Sequence, residues 1–460
     1  MGVITTVFDY IINTLGSTLF MALIMLILGL IAKMKPAKAF SSAITFAVAL
    51  SGISLVIGYM SGAITPVAEA MTETVGKTFN ILDGGWATLA SITWSWKYAF
   101  LLFPFQILIN LVMFLIGKTK TINIDLWNVW GKAFQCILII TLGQGKTLWV
   151  VFALVVAAVR IICELIVGDA MEPLVLEKSG IPGITSPHSA FLFSSVLYPV
   201  ELLLRKIPFI ENSSFDVAWL KSKIGVFAEN HVIGFILGVI FGLVGRYSVV
   251  ASLTLGVTCA TALTLLPVVT KYFMQALAPI SEACSAWLKK KTKNHGEIFV
   301  GLDAAVLLGN PEIWVACMIT IPLYLVWAVV LPNNAMLPFA GIVNLALAVS
   351  AFYVARGNIL KMVILMGLIG APVFLSVGTA VAPLISDLAV QNGFIEAGSL
   401  ISNAALDAPV YVYAFTWLFD FLNGNFLPLI VAVYWIFGYV IMIRDLRKYN
   451  RAKRGTAANN

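Results

Sequence analysis

Asp303 stands in Phe299–Leu308, a run whose other residues are all apolar or glycine. A carboxylate at membrane depth costs roughly 2.5–3.5 kcal/mol on insertion scales, so it faces a cavity or a partner. Once ionised it accepts hydrogen bonds at both oxygens, which suits neighbouring hydroxyls on a sugar or polyol. The competing reading is structural: a carboxylate that caps re-entrant backbone. His188 raises the same question. It follows Ser186 and Pro187 and precedes Ser189. An imidazole beside hydroxyls both donates and accepts, as an uncharged polyhydroxylated ligand requires. The plainer account makes Ser186 a helix cap and Pro187 the first helical residue. No second histidine lies nearby in sequence, and no metal site is expected.

A third group is Asn123-Ile124-Asp125-Leu126-Trp127-Asn128-Val129-Trp130. Read as a helix, it puts Asp125 and Asn128 on one face and Trp127 and Trp130 on another. Indoles commonly sit at the membrane interface. The alternative is a sugar wall, with C–H faces packed on indole and hydroxyls reaching Asp and Asn. Asp83-Gly84-Gly85-Trp86 is a weaker version of the same signal, and Ser51-Gly52-Ile53-Ser54 places small polar groups inside an apolar span. Small residues there also permit close helix packing. Several motifs are decoys. Gly143-Gln144-Gly145-Lys146-Thr147 resembles the end of a phosphate-binding loop, but Ile140 stands where the first glycine is required. Met1-Gly2 with Thr6 and Asn212-Ser213-Ser214 are patterns short enough to arise by chance, and His295 within Lys293-Asn294-His295-Gly296 reads as solvated.

The elements that must position these residues are membrane helices. Of 460 residues, 60% are hydrophobic and 11% charged, with mean hydropathy +0.97. A soluble chain is about half apolar and about a quarter charged, so the bilayer must be part of the solvent. Apolar runs near 13–32, 41–63, 97–117, 133–145, 147–167, 188–204, 231–245, 248–270, 313–331, 335–354, 361–386 and 409–443 approach the roughly 20 residues that span a bilayer. Net charge is +7, gathered in connectors: Lys33, Lys35 and Lys38; Lys118, Lys120 and Lys132; Arg205, Lys206, Lys221 and Lys223; Lys289, Lys290, Lys291 and Lys293. The tail at 444–460 adds Arg444, Arg447, Lys448, Arg451, Lys453 and Arg454. These segments are expected in the cytoplasm, and the N-terminus, with Asp9 as its only charge before the first span, outside. Opposite termini require an odd number of crossings, and about eleven fits. Nucleic-acid binding is not expected of so apolar a chain. Cys136, Cys163, Cys259, Cys284 and Cys317 lack metal-ligand spacing and read as small core hydrophobes. The first span has no cleavage signal before it and is expected to be retained.

No soluble domain is apparent, so residues 1–460 read as one all-α polytopic membrane domain. Two segments break the helix-and-loop pattern: Gly180–Ser189 and Val300–Glu312, both punctuated by glycine and proline. Interrupted backbone at membrane depth is tolerated where protein or trapped water satisfies it, and transporters place binding sites there. A site assembled between the two segments is the expectation.

At Asn123-Ile124-Asp125-Leu126-Trp127-Asn128, Pro187-His188, and Gly301-Leu302-Asp303 with Leu307-Leu308-Gly309, the chain resembles the galactitol-type enzyme IIC of the bacterial phosphoenolpyruvate:sugar phosphotransferase system. That family shares a superfamily with the ascorbate transporters, and the resemblance runs over nearly the whole chain. It implies an ascorbate-type fold of about eleven spans with inverted repeats and re-entrant elements, a scaffold and a moving core, and a homodimer in the bacterial cytoplasmic membrane in contact with its lipids. Carried over by position, Asp303, His188, Ser189, Trp127 and the Gly52–Ser54 segment are the implied sugar contacts. The residues' own chemistry adds Asp125, Asn128 and Trp86 to these. The resemblance also implies separate soluble partners: an enzyme IIA phosphohistidine passes phosphate to an enzyme IIB cysteine, which phosphorylates the bound sugar. No cofactor and no catalytic residue of its own is expected of this chain, beyond Asp303 holding or polarising the reacting hydroxyl. Phosphorylation traps the product by charge. Two rivals remain on the residues alone: an ion-coupled transporter of a polyol or organic anion with Asp303, Glu312 and Asp125 as coupling carboxylates, and a transferase acting on a lipid-linked substrate.

Overall fold

Long apolar helices alternate with extended pieces only two or three residues long, and the short pieces bring distant parts of the chain together. The computed structural model describes residues 18–19, 22–73, 77, 79–94, 96, 98–125, 127–213, 229–291, 297–338, 340–391 and 394–457. The helices are α1 (Ala22–Ile31), α2 (Pro36–Glu73), α3 (Gly85–Trp94), α4 (Leu102–Leu115), α5 (Trp130–Leu142), α6 (Thr147–Ser179), α7 (Ser194–Leu204), α8 (Asn230–Val244) and α9 (Val249–Lys291). They continue with α10 (Pro311–Val330), α11 (Leu345–Ala355), α12 (Ile359–Gln391), α13 (Pro409–Thr416) and α14 (Leu427–Ala457). The strands are β1 (Ile81–Asp83), β2 (Thr121–Asn123), β3 (Ile184–Thr185), β4 (Phe299–Gly301) and β5 (Leu400–Ser402).

Among the described residues, four helices, α6, α10, α12 and the Leu427–Asn450 part of α14, are long and apolar enough to cross a membrane. Shorter apolar helices, including α4, α5, α7 and α8, accompany them. Helix α8 lies on α9 along Gly234, Gly238 and Gly242, spaced every four residues. A Cβ at Gly238 would fall 2.7 Å from the Gly256 Cα of α9, so only small residues allow this backbone approach.

The reading as purely helical omits the five strands. They are too short to show a period of two, yet they satisfy backbone where helices break. Strand β4 is the centre of a parallel three-stranded sheet in the order β2-β4-β3, and β1 pairs in parallel with β5. The two interrupted segments noted in the sequence therefore lie side by side. Gly301 makes this possible: a Cβ there would meet Pro187 Cγ at 2.6 Å and Thr121 Cγ2 at 2.9 Å.

One charge assignment needs correction. Lys132, grouped with the basic connectors, lies inside α5, 2% exposed, with its Nζ 2.7 Å from Glu164 Oε2. Linear position hid the fact that the preceding turn carries the chain back into the protein. Cys136, Cys163, Cys259 and Cys317 are buried free thiols. His295 lies outside the described residues.

Candidate functional site

Parallel register aligns the chemistry. Asn123 pairs with Gly301 and so does Thr185, which sets Asp125 level with Asp303 two residues on and brings His188 to the same end of the sheet. Hydrogen bonds extend the pairing past the strands, from Ile124 N to Gly301 O (3.0 Å) and from Leu302 N to Thr185 O (2.9 Å). Beyond the sheet each chain turns into a short 3-10 helix: Trp127–Val129, Ser189–Phe193 and Ala304–Leu307. The carboxylate oxygens of Asp125 and Asp303 and an imidazole nitrogen of His188 lie within 4.8 Å of one another.

Each group is oriented by a local bond. Asp303 caps its own 3-10 turn, Oδ1 accepting from Ala305 N at 2.7 Å. Its Oδ2 accepts from Asn128 Nδ2 at 2.6 Å. The same amide donates to Asp125 Oδ1 (2.9 Å) and Oδ2 (2.8 Å). Asn128 is thus the shared donor between two carboxylates, an arrangement made for hydrogen bonding. The three ligand-type residues have a spacing that a cation could bridge after a small inward shift, but that amide already stands between the two acids. Asp125 and Asn128 meet as their spacing suggested, though through an irregular turn rather than an α-helix. The structural reading describes Asp303 in part, since one oxygen caps its turn, while the side chain remains 31% exposed.

His188 is itself the cap of Ser189–Phe193, its Nδ1 accepting from Ala190 N at 3.1 Å. That bond places the proton of a neutral ring on Nε2. Nε2 faces Asp303 Oδ2 at 4.0 Å and Asp407 Oδ2 at 3.9 Å. Both separations are too long for a direct hydrogen bond, yet a hydroxyl oxygen about 2.8 Å from each partner would join them. The plainer cap assigned to Ser186 is not formed: Ser186 Oγ is buried and has no hydrogen-bond partner among the described residues.

The remaining expected contacts are placed differently. Ser189, 1% exposed, donates from Oγ to Glu164 Oε1 at 2.5 Å. Gly52 packs α2 on α9, where a Cβ would meet Val269 Cγ1 at 2.7 Å. Trp86, at the start of α3, is 48% exposed. Trp127 lies in the 3-10 turn, and its side chain, like that of Ser54, is outside the described residues. Trp130 is buried in the core rather than at an interface. Asp83 is tied to backbone, accepting from Gly341 N (2.8 Å), Gly85 N (3.2 Å) and Ala404 N (3.2 Å).

Sequence reasoning missed Asp407. It lies five residues beyond β5, the strand that Asp83 ties to the 340 loop, so the β1-β5 sheet delivers it to His188 from the other side. Its sole local signal was an acid directly before Ala408-Pro409 at a helix start.

The model for sugar-specific permease components of the PTS matches residues 10–398. The chain belongs to that family. As a PTS permease component, the chain is an integral membrane protein and a sugar-transporting subunit, and phosphoryl transfer is carried by separate IIA and IIB components. The ion-coupled and lipid-transferase readings are not favoured. Relatives include the "PTS system galactitol-specific EIIC component" of Escherichia coli K12 and of E. coli O157:H7. Each is 31% identical over 400 residues, covering 86% of this chain and 87% of the relative. A "Putative permease IIC component" of E. coli K12 is 27% identical over 448 residues, 95% of this chain and 98% of its own length.

Proposed function

We propose that this permease carries galactitol or a closely related polyol, held by Asp303, Asp125, Asn128, His188 and Asp407. The observation that carries the reading is the His188 Nε2 donor standing 3.9–4.0 Å from two carboxylates that arrive on different sheets. A hydroxyl there accepts from the imidazole and donates to a carboxylate, a pairing that uncharged polyols offer at every carbon. The galactitol-specific relatives support the substrate class. Asp303 holds and polarises the hydroxyl that meets the IIB phosphocysteine, and the basic cytoplasmic connectors and the 444–460 tail assist docking. The phosphorylated product is then retained by its charge. We place the N-terminus outside and the tail in the cytoplasm, with about eleven crossings, in an ascorbate-type homodimer of scaffold and core domains. Ser54, Trp86 and Trp127 remain proposed sugar contacts on this reading, while Gly52 serves by letting α2 pack on α9.

The test uses proteoliposomes holding the permease and its phosphorylated IIB partner, offered labelled polyols. Polyol phosphate accumulates inside, and Asp303→Asn cuts turnover sharply while the protein still reaches the membrane. Free polyol inside, or near-normal turnover by Asp303→Asn, contradicts the proposal.

A further inference from the structure

Below the polyol cluster lies a buried ionic group that the mechanism above does not use. Glu164 of α6 is 1% exposed and has three partners: Ser189 Oγ at 2.5 Å and Arg160 Nε at 3.2 Å on Oε1, and Lys132 Nζ at 2.7 Å on Oε2. Each partner leads to a segment of the site. Ser189 adjoins His188 and begins the 3-10 turn that His188 caps. Lys132 Nζ also donates to the Asn128 carbonyl at 3.4 Å. Arg160 Nη1 donates to Gly131 O and to Gln135 Oε1, each at 3.0 Å, and Gln135 Nε2 reaches Tyr411 O at 3.4 Å, four residues after Asp407. The Glu164 carboxylate therefore ties α5, α6 and the His188 turn together, and Arg160 and Gln135 extend the network to α13.

We infer that Glu164 is a positioning residue for the polyol site and that Ser189 serves the site through Glu164 rather than by touching the polyol. A buried carboxylate is costly unless fully paired, and this one is paired to the segments that carry His188 and Asn128. The hydroxyl of Ser189 has one proton, directed at Glu164, and the residue is buried. Without that bond the His188 turn loses its charge-assisted anchor, and the imidazole drifts relative to Asp303 and Asp407 for every polyol alike. The inference rests on the polyol reading of the cluster.

The test measures phosphorylation-coupled uptake in vesicles supplied with IIA and IIB, normalised to permease in the membrane. Ser189→Ala raises KM roughly tenfold, the worth of one charge-assisted bond, while kcat changes little. Across single-deoxy analogues of the carried polyol, it raises KM by the same factor for each one. Glu164→Gln also raises KM, and the double variant is no worse than the poorer single one, because both cut one link. Wild-type KM in Ser189→Ala overturns the inference. So does one deoxy analogue whose KM Ser189→Ala leaves unchanged, the mark of a direct contact. The analogue series decides alone if Glu164→Gln does not accumulate. Failure here leaves the polyol site standing, whereas near-normal transport by Asp303→Asn removes the site itself.

Discussion

Gly301→Ala is the smallest change that should disturb the site without removing any of its polar groups. A Cβ at this position falls 2.6 Å from Pro187 Cγ, 2.8 Å from Pro187 Cδ and 2.9 Å from Thr121 Cγ2. Carbon contacts become comfortable near 3.4–3.5 Å, so β3 must retreat by about 0.8 Å and β2 by about 0.5 Å. The Pro187 atoms belong to a ring, so the strand must move with them, and His188 follows directly. Overpacking of this kind costs about 1–3 kcal/mol of stability. A shift of that size also changes the 4.0 Å separation of His188 and Asp303 by about a fifth. Misplacement on the scale of 1 Å costs up to about a hundredfold where geometry governs turnover. We expect Gly301→Ala to reach the membrane and to lose roughly ten- to a hundredfold in phosphorylation-coupled uptake. The assay is labelled polyol uptake into vesicles with IIA and IIB, beside a quantitative blot of membrane protein. Wild-type uptake at normal abundance would refute the claim that β3 and β4 jointly set the site.

Asp83→Ala should lower stability, because it leaves three buried N–H groups without their acceptor, at about 1–3 kcal/mol each; a melting curve in detergent should show a large drop, and an unchanged one contradicts the assignment. Asp407→Asn should raise the polyol KM by about tenfold at normal abundance, as expected for one charged hydrogen bond, and a wild-type KM would remove Asp407 from the site. Glu164→Leu should cost about 3–5 kcal/mol by stranding Lys132 and Arg160, while adding Lys132→Met to it should recover part of that loss; equal melting temperatures for the single and double variants would contradict the pairing. Gly238→Ile should separate α8 from α9 and lower the yield of folded protein, since the Gly256 Cα lies only 2.7 Å from the added Cβ, and a normal yield would argue against that contact.

The membrane class was legible from bulk composition, which no soluble core of this length can accommodate. Asp303 and His188 were legible because each is a polar group set against apolar chain and broken backbone. The Asp125–Asn128 pair was legible from its three-residue spacing, although the helix assumed to present it is a strand followed by irregular backbone at Ile124 and Asp125 and a 3-10 turn at Trp127–Val129. Asp407 was not, because its place depends on β5 finding β1 across more than 300 residues. The ionic group fell between these cases. Arg160 and Glu164 stand at i and i+4 inside an apolar helix, a pairing visible in the sequence, but their third partner was masked by counting Lys132 as a connector charge. The strands escaped because two or three residues carry no periodicity; their pairing is set by glycine at 301 and by neighbours far along the chain.

The central claim is that the polyol lies between His188, Asp303 and Asp407, and an experimental density map of the permease with galactitol bound tests it most directly. The account predicts hydroxyl oxygens about 2.6–3.0 Å from His188 Nε2 and from at least one of the two carboxylates, with Ser189 still bonded to Glu164. Galactitol resolved elsewhere, with His188 and Asp303 satisfied by polypeptide alone, would contradict it.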